Sequence, residues 1–189
     1  MPLRQEVGDA LVGAWRLARL DRGAMRWFDH SVPGVWHSFL AAAICYPGFL
    51  LLLWTRLAPG DIAQAGWLRI LLIESIGYVI GWTVYPLLAL PFCRWLAPEE
   101  RALGFVTAYN WSQVLQTLLL VAVTVITLVP HVSLEAGALL EIAAYGLLLV
   151  YEWFIAWIAL GQGGLAATAL VLLDVVLGAF LSLLTQSLY

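Results

Sequence analysis

The sequence predicts an all-α fold: a polytopic transmembrane helix bundle of five spans, preceded by an amphipathic interfacial helix. Three observations predict it. Of 189 residues, 63% are hydrophobic and 11% charged, where soluble domains carry roughly a quarter charged residues. A soluble domain of this length hides only about 70% of its unfolded surface, so much of that apolar excess would face water. The apolar residues also fall in continuous runs, each with at least the ~20 residues a helix needs to cross a ~30 Å hydrocarbon core. Finally, the runs do not alternate in the manner of barrel strands, and a helix is the element that pairs its own backbone amides inside lipid.

Residues 1–33 make up an N-terminal segment. Across 5–28, Val7, Leu11, Ala14, Trp15 and Ala18 share one stripe, while Arg16, Arg19, Arg22 and Arg26 follow another at three- to four-residue spacing. This pattern predicts a helix lying on the membrane, with Trp15 and Trp27 at headgroup depth and the arginine heads in water. A helix packed on a partner or on the chain's own loops is the alternative. No stretch within 1–31 has the continuous apolar core of a cleavable signal peptide, so the segment is expected to be retained. Contact with anionic headgroups suits this basic stretch; nucleic acid does not, because Asp9, Asp21 and Asp29 dilute it.

Residues 34–189 form the bundle. Asp29, Ser31 and Pro33-Gly34 end the first helix, and 34–54 supplies the first span. Arg56, Pro59, Gly60 and Asp61 make a polar break before the second span, 67–92. A charged loop, CRWLAPEER, leads to the third, 104–129; Pro130, His131 and Ser133 turn the chain into the fourth, 136–161; and glycines 161, 163 and 164 precede the fifth, 165–188. Asn110, Ser112, Gln113 and Gln116 crowd the start of the third run, so a re-entrant half-helix there, and counts of four or six spans, stay open.

Every basic residue is arginine, which suggests a GC-rich genome and a bacterial inner membrane. With five spans and a cytoplasmic N-terminus, Arg4, Arg16, Arg19, Arg22, Arg26, Arg94 and Arg101 lie inside and only Arg56 and Arg69 outside. That asymmetry places the C-terminus outside. Trp36, Trp54, Trp67, Trp95, Trp111 and Trp157 are expected at span ends, where an indole meets both lipid and headgroup.

Four acids fall inside spans: Glu74, Glu141, Glu152 and Asp174. A charged carboxylate near mid-bilayer costs about 2.5–3.5 kcal/mol, so each needs a proton, a partner or water. Glu141 and Glu152 share a helix face, as do Asn110, Gln113 and Thr117. Two readings follow. One is a polar file of His37, Asn110, Gln113, Glu152 and Asp174, continuing to Glu74 and Glu141, that carries a proton or cation. The other is helix-to-helix hydrogen bonding, each pair contributing about 0.6–2 kcal/mol.

Catalytic residues, metal ligands and cofactors are not expected. There is no HExxH, CxxC, GxSxG or Gly-rich phosphate loop, and His30, His37 and His131 differ in depth. Cys45 and Cys93 read as free thiols at different levels. Pro47 and Pro86 interrupt spans, as is common in membrane helices.

The segment GFVTAYNWSQV, 104–114, follows a short charged loop and opens the third span with a tyrosine. Together with a polar N-terminal segment and five closely spaced spans, it resembles the Yip1-domain superfamily of membrane proteins. That family commonly has a proline about four residues after the tyrosine, where this chain has Gln113, and its eukaryotic Asp-Leu-Tyr-Gly-Pro signature is absent here. The resemblance implies a membrane organiser that binds other membrane proteins and has no catalytic residues. The expected function is therefore a scaffold, assembly factor or accessory subunit acting through protein or lipid contacts, with the sets Ala41-Ala42-Ala43, Ala143-Ala144 and Ala166-Ala167 allowing close helix approach. The alternative is a small proton or cation channel or transporter that uses the intramembrane acids.

Overall fold

The computed structural model describes residues 3–130 and 132–189; His131 of the fourth span's entry turn lies outside them. Among the described residues there are eight α-helices: α1 (Leu3–Ala18), α2 (Val32–Ser38), α3 (Leu40–Arg56), α4 (Pro59–Ala65), α5 (Trp67–Leu96), α6 (Glu99–Thr127), α7 (Leu134–Leu160) and α8 (Gly164–Gln186). Five stretches are long and apolar enough to cross a membrane, namely α2 with α3, then α5, α6, α7 and α8. The five-span, all-α expectation holds. The third run is one continuous helix of 29 residues, which removes the re-entrant alternative.

The N-terminal segment is not one helix over 5–28. It ends as a helix at Ala18, passes through Leu20 in the left-handed region (φ 60°), and resumes as a 3-10 turn over Arg22–Trp27. The cause is local. The Asp21 amide donates to the Arg16 carbonyl (3.0 Å) and the Leu20 amide to that of Leu17 (2.8 Å), satisfying carbonyls at the end of α1. Asp21 then accepts from Arg16 Nε at 2.7 Å and from the Gly23 amide at 2.8 Å. These two donors hold its carboxyl below the usual carboxylate range.

The first span is also jointed. Ser31 caps α2, its Oγ accepting from the Gly34 amide at 3.2 Å. At the other end of α2 the Ser38 hydroxyl donates to the Val35 carbonyl at 2.7 Å, and the chain tightens through Phe39 before α3 begins. Helix α7 is closed in comparable ways at both ends. Ser133 Oγ accepts from the Ala136 amide at 3.2 Å. Gly161 closes α7 in the left-handed region (φ 66°), where glycine alone is free of strain. Beside it Arg101 Nη1 donates to the Leu160 carbonyl at 3.1 Å. The expected charged loop 93–101 shrinks accordingly to Ala97-Pro98, since helix continues to Leu96 and restarts at Glu99.

Helix α6 is the hub. It packs against α3 and α7 most extensively, and also against α1, α2 and α5, while α8 closes the bundle against α5 and α7. A stripe of small residues on α3, Ala41, Cys45 and Gly48, admits α6 closely; a Cβ at Gly48 would run into the Thr117 methyl. Helix α1 lies across the starts of α6 and the end of α7. Its buried face is Glu6, Ala10, Gly13, Ala14 and Leu17, about one residue off the predicted stripe, and Trp15 (58% exposed) and Ala18 face outward. The Tyr151 hydroxyl donates to the Ala14 carbonyl at 2.8 Å, tying α7 to α1. The N-terminal helix is thus docked on its own chain.

The five-span path puts the N-terminal segment with Arg94 and Arg101 at one end, the basic end, and the C-terminus at the other, the far end. At the far end Arg69 Nη2 donates to the Leu188 carbonyl at 2.8 Å. Trp36, Trp54 and Trp95 are exposed near span ends. Trp111 is a correction: twelve residues inside α6, it is fully buried, because α6 is surrounded at that level.

Candidate functional site

Two polar faces on one helix organise the interior. On the face of α6 toward α2 and α3, Asn110 Nδ2 donates to Ser38 Oγ at 2.8 Å, and both residues are fully buried; Thr117 lies against Gly48 on the same side. On the face toward α7 and α8 stand Tyr109, Gln113 and Gln116, spaced four and three residues apart, a single helical stripe. The expected grouping of Asn110, Gln113 and Thr117 on one face therefore divides: Asn110 and Thr117 serve one neighbour pair, Gln113 another.

The second face meets two carboxyls. The Tyr109 hydroxyl donates to Asp174 Oδ1 at 2.6 Å. Glu152, 8% exposed, borders the Gln113 and Gln116 side chains and the Asp174 carboxyl. Tyr85 from α5 packs against Tyr109 with ring centroids 4.3 Å apart and the planes tilted by 33°. Asp174 sits midway along α8 and Tyr109 about 15 Å of helix rise from the start of α6, so the cluster lies near mid-depth. A cavity of about 270 Å³ opens beside it, lined by Tyr85, Tyr109, Gln113 and Asp174 and bounded by Tyr78 and Trp82. Two carboxyls side by side at this depth need a counter-charge: a proton shared between them or a cation drawn in.

The remaining candidates stand apart from this cluster. His37 is exposed, and its Nδ1 pairs with Glu6 Oε2 at 2.8 Å, linking α2 to α1. Glu74 is buried near the far end, where it accepts from Thr185 Oγ1 at 3.1 Å and the Tyr189 hydroxyl at 2.9 Å. Glu141 does not share the burial of Glu152. It is exposed on α7, in a separate cleft of about 320 Å³ with Thr55, Arg56, Thr124, Thr127 and Tyr145. The polar groups form several separate clusters, and the continuous file does not assemble.

At the basic end, Arg16 and Arg22 lie over the rings of Trp27 and Trp157, at 5.7 and 4.9 Å, and Arg19 and Arg26 are exposed. Three buried polar atoms lack a partner among the described residues: Trp27 Nε1, Asn110 Oδ1 and Trp111 Nε1. Both cysteines are buried free thiols. Among the described residues no three His, Cys, Asp or Glu side chains gather to hold a metal ion. Of the small-residue sets, Ala41, Ala144 and Ala167 pack inside the chain, while Ala43 and Ala143 face out.

Sequence reasoning missed Tyr85, Tyr109 and Gln116 as members of the mid-depth cluster, and Glu6, Ser38, Thr185 and Tyr189 as partners of the other candidates. The spacing of Tyr109, Gln113 and Gln116 was the available signal for Tyr109 and Gln116, and nothing in the sequence marked Tyr85. Comparison of the chain with protein families, curated proteins and solved structures finds no match.

Proposed function

We propose that this chain is a non-catalytic, multi-pass membrane protein of Yip1-like layout that acts by contact, as a scaffold, assembly factor or accessory subunit of a larger membrane complex. The observation that carries this reading is the far-end cleft between α3, α6 and α7. Glu141 and Tyr145 are exposed there, on a helix whose outer half also exposes Leu139, Ile142 and Leu147. A carboxyl on a lipid-facing surface is costly, by up to about 2.5–3.5 kcal/mol toward mid-bilayer. A neighbouring helix that brings hydrogen-bond donors into the cleft removes that cost, and such pairs hold membrane helices together. The test is a photo-crosslinking amino acid at Ile142, one turn from Tyr145, in cells. It is expected to capture a discrete protein partner, with capture reduced several-fold by Glu141→Leu. Capture of lipid alone would remove the reading.

The proposed setting is a bacterial inner membrane with the basic end cytoplasmic. Seven of the nine arginines, all but Arg56 and Arg69, lie at that end, which is the bias that orients membrane proteins. Impermeant thiol reagents applied to intact cells should label a cysteine added after Tyr189 and spare one placed at Arg4. The opposite pattern would invert the topology.

A further inference from the structure

We propose that the cavity between α5, α6 and α8 is a binding site for a small organic ammonium ion, held among tyrosine and tryptophan rings with the Asp174 carboxylate as its counter-charge. The cavity, about 270 Å³, approaches the size of small-molecule sites, which begin near 300 Å³. Its walls are Tyr78, Trp82, Tyr85 and Tyr109, and Gln113 and Asp174 supply the polar lining. The tyrosine hydroxyls are committed elsewhere: Tyr78 to the Ala42 carbonyl at 2.6 Å, Tyr85 to the Leu170 carbonyl at 3.4 Å and Tyr109 to Asp174 at 2.6 Å. What the walls offer a ligand is therefore aromatic ring surface, the Gln113 amide and one carboxylate.

Two of the lining residues, Gly81 and Gly178, lack side chains. A Cβ at Gly178 would meet nothing within 4 Å, and one at Gly81 would first touch Leu181 at 3.5 Å. Gly178 is also exposed at the bundle surface, so the cavity is reached from outside the protein.

Chemistry selects the ligand class. The chain has no lysine, and the arginines nearest along the lining helices, Arg94 and Arg101, are more than two helical turns from Tyr85 and Tyr109. Asp174, with Glu152 beside it, is left short of positive charge. An anion would be repelled. A hard metal ion would trade its hydration shell for the Asp174 carboxylate, the Gln113 amide oxygen and ring surfaces, far short of the six or more oxygens such ions take. An alkylated ammonium is weakly hydrated, and aromatic rings attract it while a carboxylate neutralises it.

The test is isothermal titration calorimetry of trimethylamine hydrochloride, whose neutral form crosses hydrocarbon, into the full chain in lipid nanodiscs, with sodium chloride of equal ionic strength as control. Saturable binding is expected for trimethylamine and not for sodium, with affinity reduced at least about tenfold in both Asp174→Asn and Gly178→Leu. The second variant fills the cavity and leaves both carboxyls in place, so it carries the test should Asp174→Asn misfold. Heats that match sodium's, or affinities unchanged in Gly178→Leu, would overturn the proposal.

Discussion

From Ala102 to Ser112, α6 is buried on every side, enclosed by α1, α2, α3, α5 and α7. Beyond Thr117 the same helix exposes Leu118, Val125 and Ile126. Helix α7 shows the contrast in reverse order: from Tyr151 to Leu160 every residue is buried or partly so, whereas between Ala138 and Val150 only Ala144 and Leu148 are buried. The N-terminal segment makes the difference, since α1 and the 3-10 turn wrap only the basic half. The contrast teaches where a membrane bundle can hold polar side chains. Asn110, Gln116 and Glu152 all lie in or next to the thick half, where neighbours satisfy part of what lipid cannot; in the thin half Glu74 is buried only with Thr185 and Tyr189 as its donors.

The largest test of that contrast is Trp111→Ala set against Leu118→Ala. Trp111 is fully buried and Leu118 is 58% exposed. Truncating Trp111 empties space between five helices and should cost about 3–5 kcal/mol, while Leu118→Ala should stay within about 0.5 kcal/mol. Reversible unfolding of both variants in mixed micelles measures this, and equal losses would break the comparison. A smaller test compares two hydroxyls. Ser38→Ala removes the acceptor of Asn110 and a bond to the Val35 carbonyl, and should cost about 1–2 kcal/mol. Thr127 bonds only to its own helix, at Thr124, so Thr127→Ala should fall below about 0.5 kcal/mol in the same assay. A Thr127 effect as large as that of Ser38 would mean both halves are packed alike.

The spans and their breaks were legible because hydrocarbon thickness sets a minimum run of apolar residues and Pro, Gly and charge punctuate it. The inward face of each helix was not. A span that is apolar all round has no hydrophobic contrast between core and lipid, so the stripe Asn110, Gln113 and Thr117 looked as good as Tyr109, Gln113 and Gln116. Small residues such as Gly48 decided which neighbour each face met. The stripe of α1 was misread by one residue for a related reason. Trp15 and Ala18 are apolar yet face outward, while Glu6 turns in to meet His37, a pairing 31 residues apart that periodicity does not reveal. Amphipathicity shows that the N-terminal helix has a greasy side without naming what covers it, and α6 and α7 cover it here.

The bond from Tyr151 to Ala14 spans 137 residues, and this sets an order on biogenesis. When α1 leaves the ribosome, the surface it will rest on has not been made. At about 5–20 residues per second, the nascent N-terminal helix waits on the order of ten seconds, its apolar stripe uncovered, until the third and fourth spans have entered the bilayer. Over that interval a membrane surface or a chaperone is its natural shelter, and the final docking step reports that insertion has reached the fourth span.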